Sequence, residues 1–412
     1  MEQQGISKLD LKRRNRMQVL NIIKQNGPTS RIDIANTLQL TRAAVTIITT
    51  DMIDEGIIHE LGEYKQPGEK AARGRKKILL DINYNYKFII GVSVEENIVS
   101  VGISTLSGDV LDKRNMPIDE GFDRHQIFAF IEKSINEVLT DNCLENDDVL
   151  GIGFGIYHQM CPRLGIEIID DNPSYDKIKT YFEERTGLPT AFDSSPKGCA
   201  IANLDFGKDI DHSIKNIAFL RYGNSIDFMS TYLNEPLETY QNRTDFINKM
   251  IIDPDANDVC TCGRCGCVEN ELVVKSIVRD VIKEFSESST PFLYAQTNGD
   301  ASQVTPQLVV RAYQSGDKAV IKIIHRGLKL LSVLINNLDL FSDPDKIVIH
   351  LECNDTYTFW DDFKNEVEKI SGKEVTDKLV KSSVDYKHRF LAGCAIAERV
   401  LFFNRGGFKP NI

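Results

Sequence analysis

Between Arg16 and Leu61 the chain spaces helix starts, turns and apolar residues in the order of a helix-turn-helix followed by a wing, and no other segment restricts the fold so tightly. Val19, Leu20 and Ile23 fall on one side of a first helix. Ser30, with Asp33 three residues on, has the form of a capping box and starts a short second helix. Leu38, Gln39 and Leu40 make a tight turn, after which Thr41 caps a third helix running to about Glu55. On that helix Val45, Ile48 and Met52 form a stripe that packs inward, while Arg42, Ala43, Thr46, Ile47 and Thr50 face outward, free to enter a major groove. Gly56 ends the helix and Ile57–Leu61 gives the first strand of a wing. Without a partner the same pattern is a three-helix cap with an exposed polar face.

Charge bears on the choice. The net charge of −11 taken alone opposes nucleic acid, but it is unevenly placed. Residues 1–87 hold 15 Lys+Arg against 10 Asp+Glu, and the remainder holds 34 against 50, so a head of +5 sits on a body of −16. A basic head supplies phosphate contact while an acidic body stays clear of DNA. Lys12, Arg13 and Arg31 are expected at phosphates. Residues 62–77, rich in breakers and charge, form the wing tip or a linker. Within them Arg73 and Arg75 flank Gly74 in a run that either reaches a narrow minor groove or is a solvated loop.

No apolar run approaches the roughly 20 residues of a membrane span, and the basic N-terminus has no apolar stretch behind it, so neither a membrane partner nor a signal peptide is expected. Four of the nine cysteines crowd into residues 260–267, which suits metal ligation in a reducing cytoplasm better than disulfides.

Beyond Lys87 strands and helices alternate. Phe88–Val94, Ile98–Ser104, Val149–Ile156, Ile217–Arg221 and Lys346–Leu351 read as strands, with a further one starting at Val110. Residues 125–140 repeat at helical period with Ile127, Phe130, Ile131, Ile135 and Val138 on one side, and further helices are expected over 270–286, 307–315 and 317–340. The pattern is an α/β body with two similar lobes.

Three features now coincide: the winged head, Gly187-Leu188-Pro189 leading into a strand, and Cys260-Thr261-Cys262-Gly263-Arg264-Cys265-Gly266-Cys267-Val268-Glu269. Together they resemble the ROK family (repressors, open reading frames and sugar kinases), specifically its transcriptional regulators, across nearly the whole chain. The resemblance implies an actin-like sugar-kinase fold, two lobes about a cleft, and a structural zinc near the sugar site. It divides the chain into a winged helix-turn-helix with basic linker at 1–80 and a body at 81–412. Lobe one of that body covers about 81–195 plus the C-terminal helix, and lobe two about 196–390.

The body departs from the kinases of that family at each phosphate element. Where they carry Asp-x-Gly-Gly-Thr this chain has Ser93-Val94-Glu95-Glu96-Asn97, and two carboxylates oppose a phosphate by like charge. Ser195 falls at the place of the aspartate base, and a hydroxyl cannot take the sugar proton as a carboxylate does. The glycine-rich turn after Ile217–Arg221 has become Tyr222-Gly223-Asn224-Ser225-Ile226-Asp227, and His350-Leu351 replaces a Gly-Gly pair. Phosphotransfer and ATP are therefore not expected. The residues matching the family's Glu-x-Gly-His are Phe246-Ile247-Asn248-Lys249, so a usual hexose is in doubt. Ser194, Ser195, Lys197 and Lys249 remain as an effector cleft, one that suits an anionic ligand unless both lysines are surface charge.

The resemblance makes Cys260, Cys262 and Cys267 zinc ligands; Lys249 stands where the completing histidine belongs, leaving Cys265 or a residue from elsewhere as the fourth. The expectation is a non-enzymatic homodimeric or tetrameric repressor of carbohydrate-related genes on a pseudo-palindromic double-stranded operator. Its rivals are a sugar kinase with an appended DNA-binding head and a pure interaction scaffold.

Overall fold

The computed structural model describes residues 8–63, 77–169, 172–207, 214–232, 244–352, 358–385 and 387–409. The head comprises α1 (Lys8–Asn26), β1 (Thr29–Ser30), α2 (Arg31–Leu38), α3 (Arg42–Asp54), β2 (Ile58–Glu63) and β3 (Ile78–Ile82). Both caps form as the sequence expects. The Ser30 side chain accepts from the Asp33 amide, and Thr41 Oγ1 accepts from the Ala44 amide at 3.2 Å. Gln39 turns the chain between α2 and α3 in the left-handed region, at φ 55°. The three strands pair antiparallel in the order β1-β3-β2, which gives the head its wing. Arg73 and Arg75 lie outside the described residues.

Lobe one contains β4 (Phe88–Val94), β5 (Ile98–Ser104), β6 (Val110–Pro117), α4 (Arg124–Asp141), β7 (Val149–Ile156), α5 (Cys161–Leu164), the hairpin β8 (Glu167–Ile169) and β9 (Asn172–Ser174), α6 (Asp176–Thr186), β10 (Thr190–Ser194) and α7 (Ser195–Phe206). Its sheet runs β10-β7-β4-β5-β6; β10, β7 and β4 are parallel and the rest antiparallel. All eight residues of β7 are buried, as expected of a central parallel strand. On α4 the periodicity misplaces one aromatic. Phe128 is buried and Phe130 only partly so. Phe128 lies three residues before Ile131 and packs on Tyr181 and Phe182, with ring centroids 4.9 and 5.1 Å away.

Lobe two contains β11 (Asn216–Tyr222), β12 (Ile226–Tyr232), α8 (Thr244–Asn248), α9 (Val268–Glu271), α10 (Val274–Lys283), α11 (Pro291–Gln296), α12 (Pro306–Gln314), α13 (Lys318–Ser342), β13 (Lys346–Leu351), α14 (Trp360–Lys378) and β14 (Leu379–Lys381), and α15 (Leu391–Ala397) follows. The sheet order is β12-β11-β13-β14, with β11, β13 and β14 parallel. The single helix expected over 270–286 is instead α9 and α10. Val273 between them is extended, and the Val274 amide bonds the Gly223 carbonyl at 2.9 Å, tying the start of α10 to the β11–β12 turn.

Shared packing sets the relation of head to body. The buried residues of the head, among them Val19, Leu20, Val45, Met52 and Leu80, form one continuous apolar cluster with Ala200, Ile201, Ile396, Phe402 and Phe403 of the body. The helix α15 lies in backbone contact with the lobe-one sheet. A Cβ at Gly153 would stand 1.8 Å from the Gly393 carbonyl oxygen, so only glycine fits there. Past α15 the chain makes a π-helical turn, Glu398–Phe402, and a 3₁₀ turn, Phe403–Arg405, which carry it beneath α1. Among the described residues no helix is long and apolar enough to cross a membrane.

Candidate nucleic-acid interface and cleft

The outward face of α3 consists of the residues the sequence selects. Val45, Ile48 and Met52 are buried, whereas Thr41, Arg42, Ala43, Thr46, Ile47 and Thr50 are exposed. Ile47 is 65% exposed, an apolar side chain in water on an otherwise polar face. Exposed Arg13 and Arg14 lie on α1. Two expected phosphate anchors are paired within the head in this structure. Arg31 is turned inward, its Nε donating to Thr49 Oγ1 at 2.9 Å and its Nη1 paired with Glu60 at 2.8 Å. Lys12 pairs with Asp51 at 2.8 Å. Thr49 faces the head interior and Glu60 is on the wing, so Arg31 fastens α2 to both neighbours; spacing alone could not reveal that.

Arg16 belongs to the basic N-terminal run in sequence, yet it is fully buried. Its Nε donates to the Gly406 carbonyl at 2.8 Å, its two terminal nitrogens pair with Glu55 at 2.8 and 2.6 Å, and its guanidinium lies 4.0 Å from the centre of the Phe408 ring. Further along the same helix, Lys24 bridges Asp205 at 3.0 Å and Glu398 at 3.2 Å, with Arg399 holding Asp205 from the other side at 2.7 Å. Burial, with Asp205 beside it, lifts Glu398 to about 7 despite Lys24, whereas Arg399 and Lys24 overcome burial and hold Asp205 at about 2. Two cations of α1 thus clasp the C-terminal segment and α7.

The cleft between the lobes holds a buried ionic cluster. Glu95, at the β4–β5 turn, accepts from Ser93 Oγ at 2.9 Å and from Ser195 Oγ. Arg221, at the end of β11 in lobe two, bridges Glu95 at 2.7 Å and Glu352 at 2.5 Å, beneath the Tyr157 ring at 4.4 Å. Tyr157 and Ser225 meet across the lobes at 2.5 Å. Glu352 reaches into the turn after β11: its carboxylate accepts from the Asn224 amide at 3.2 Å, and a Cβ at Gly223 would stand 1.8 Å from Glu352 Oε2. A backbone turn of the kind that receives phosphate already receives a carboxylate. Burial would raise Glu95, but Arg221 and Arg389 outweigh it and hold the carboxyl below its usual range.

These contacts rearrange the expected effector residues. Ser195 is buried and committed to Glu95, Lys197 pairs with Asp193 at 2.8 Å, and Ser194 stays half-buried at the end of β10. Lys249 is exposed beyond α8, on a different element. His350, which replaces a glycine of the resemblance, is buried and shares a 3.0 Å hydrogen bond with Ser382. Burial, then the nearby Arg221 and Arg389, lower it to about 3. Between pH 6.5 and 3 the unfolded chain therefore binds a proton there that the folded chain refuses, so this residue makes stability fall on acidification. Glu398 acts in the opposite sense at pH 4.5–7. We expect His350→Gln to retain more of its neutral-pH stability at about pH 5 than the parent does, as read by urea melts at both pH values; an identical loss in both proteins contradicts this.

The thiols of Cys260, Cys262 and Cys267 converge, their sulfurs lying within 4.8 Å of one another. Cys265 does not join them. It is exposed and its Sγ contacts the Asn257 carbonyl at 3.8 Å. Left-handed Gly263 and Gly266 permit the turns, and a Cβ at Gly266 would stand 1.7 Å from the Asp253 carbonyl oxygen. Burial pushes Cys267 up to about 12, while the Arg264 amide pulls Cys262 down. A soft divalent cation is what makes three such thiolates compatible, so the donor set fits a metal.

These elements define a class: a winged helix-turn-helix fused to a two-lobed body of the sugar-kinase type. A winged helix-turn-helix DNA-binding family matches residues 12–59, and the ROK family matches residues 246–396. A xylose repressor of Caldicellulosiruptor bescii is 24% identical over 348 residues, covering 82% of this chain and 83% of that one. The crystal structure of a ROK family transcriptional regulator, a homologue of the E. coli Mlc protein, has a TM-score of 0.68 at 20% identity, covering 96% of this chain and 99% of that one. A ROK family glucokinase from Streptomyces griseus, solved with glucose and AMPPNP, covers 74% of this chain and 97% of its own with a TM-score of 0.57 at 15% identity. An N-terminal winged helix-turn-helix thus precedes a body whose C-terminal part matches the ROK family.

Proposed function

We propose that the chain is a ROK-type transcriptional repressor that binds a pseudo-palindromic operator as a homodimer or tetramer, in the cytoplasm, and controls carbohydrate-related genes. The observation that carries the reading is the exposed face of α3, where Arg42, Ala43, Thr46 and Ile47 project opposite the buried stripe. Arg42 suits a guanine edge and Ile47 a thymine methyl. Arg13 and Arg14 supply phosphate contact, Arg31 positions the wing, and Arg73 and Arg75 reach the minor groove. Relatives bearing repressor names share most of the chain's length with it. Footprinting the full chain on the DNA flanking its own gene should protect two half-sites about one helical turn apart. Arg42→Ala should weaken that site by roughly 1–3 kcal/mol without lowering the melting temperature. No protected site, or unchanged affinity in the variant, overturns the reading.

The body performs no phosphotransfer in this reading. Glu352 occupies the turn after β11 and Ser195 is spent on Glu95. An effector meets the cleft at Ser194 and the Asp193–Lys197 pair. A zinc held by Cys260, Cys262 and Cys267 is structural, pinning the loop before α9, with Lys249 and Cys265 outside the ligand set. Protein purified without added zinc should carry close to one zinc per chain, and Cys267→Ser should lose it. Clearly substoichiometric metal in the parent contradicts a structural zinc.

A further inference from the structure

Lobe two contains a cavity of about 90 Å³ between α10, α12, α13, α14 and the ends of β11 and β13. Tyr222, Gly327, Leu351, Phe359, Trp360 and Phe363 are among its walls, which are almost entirely hydrocarbon. The hydroxyl of Tyr222 is already donated to the Leu272 carbonyl at 2.7 Å. Water inside would leave most of its hydrogen bonds unmade, so the space favours a guest that needs none. An apolar cavity of about 150 Å³ takes a benzene ring, so a space of about 90 Å³ has room for no more than a single ring. Aromatic walls add favourable ring-on-ring contact.

We propose that this cavity is a binding site for a small neutral ligand presenting a single apolar ring. It is distinct from the cleft at Ser194 and from the DNA-binding face. Its walls include Tyr222 and Leu351, the neighbours of Arg221 and Glu352, so an occupant bears on the strand ends that carry the ionic cluster bridging the lobes. A ring rich in hydrogen-bonding groups, such as a purine, is disfavoured because the walls leave its donors and acceptors unpaired.

Trp360 is the only tryptophan in the chain, so tryptophan emission comes from a wall of this cavity. Full-length protein titrated with toluene should show a saturable shift in Trp360 emission and a rise in melting temperature. Adenosine over the same range should do neither. Gly327→Leu, which fills the space from α13, should keep the parent's circular dichroism and lose the toluene response. If that helix position does not tolerate leucine, Val310→Phe fills the cavity from α12 and should behave the same way. A shift with adenosine instead of toluene, a shift with neither, or an unchanged toluene response in a folded filled variant overturns the proposal. None of these readouts involves DNA, so failure here leaves the repressor reading standing, and the reverse.

Discussion

Arg221→Met will destabilise the chain by about 3–5 kcal/mol at neutral pH, because it strips the counter-charge from a buried carboxylate. The guanidinium is buried and is the cation that both Glu95 and Glu352 contact. Removing it leaves Glu95, itself buried and aimed inward by Ser93 and Ser195, as a charge without adequate compensation. Two companion results make the test specific. Glu95→Gln alone should cost less, since Arg221 keeps Glu352. The Arg221→Met/Glu95→Gln pair should recover part of the loss, because the uncompensated charge has gone. Acid supplies a further check. The parent's Glu95 is held below its usual range, so its contribution is present above the ordinary carboxylate range and is lost only as pH falls through the lowered value. In Arg221→Met that contribution is absent, and protonation relieves the buried charge, so the gap between variant and parent should narrow on acidification. Urea melts at about pH 7 and pH 4 measure this; equal stabilities at neutral pH contradict the cluster's role.

Arg16→Met should be the second large effect, through the junction and not through DNA contact. The methionine fills the space beneath Phe408 but leaves the Gly406 carbonyl without its donor and Glu55 without its partner. Glu55 is partly solvated, which limits the cost, and about 1–3 kcal/mol is expected. The informative readout is where the loss falls. Hydrogen exchange should rise in α1 and in residues 398–409 together, because Arg16 holds the Gly406 carbonyl and Lys24 holds Glu398. Exchange confined to α1, with the C-terminal segment as protected as in the parent, would show that head and body are tethered without sharing a core. The chain from the cleft to the head is continuous: Arg389 donates to the Glu352 carbonyl at 3.0 Å, α15 follows, and Glu398 ends on Lys24.

What the sequence reveals depends on the range of the interaction. Caps and stripes are local, so Ser30, Thr41, Val45, Ile48 and Met52 can be placed from spacing alone. Spacing alone marks a loop of four crowded thiols, and only the family resemblance singles out Cys260, Cys262 and Cys267, which the structure brings together. The same loop hides the fate of Cys265, since one residue of register decides whether a thiol points in or out. Glu95 is legible as an obstacle to phosphate but not as half of an ion pair, because Arg221 is 126 positions away. The partners of Lys12 and Arg31 are hidden for a related reason. A cation in a basic segment beside a helix-turn-helix looks like a phosphate contact until its carboxylate partner is known. The break between α9 and α10 is invisible because the Gly223 carbonyl, not a local breaker, fixes it.

The claim that α3 reads DNA is tested most directly by the salt dependence of operator binding, measured on the full-length chain and on Thr46→Glu, which puts a carboxylate on the exposed face of that helix. The parent should bind its footprinted operator far more tightly than random duplex of equal length, and its affinity should fall steeply and linearly on logarithmic axes as salt rises. Thr46→Glu should lose the preference for the operator while melting at the parent's temperature. An operator preference that survives the substitution, or a parent whose weak DNA retention ignores both sequence and salt, would contradict the claim.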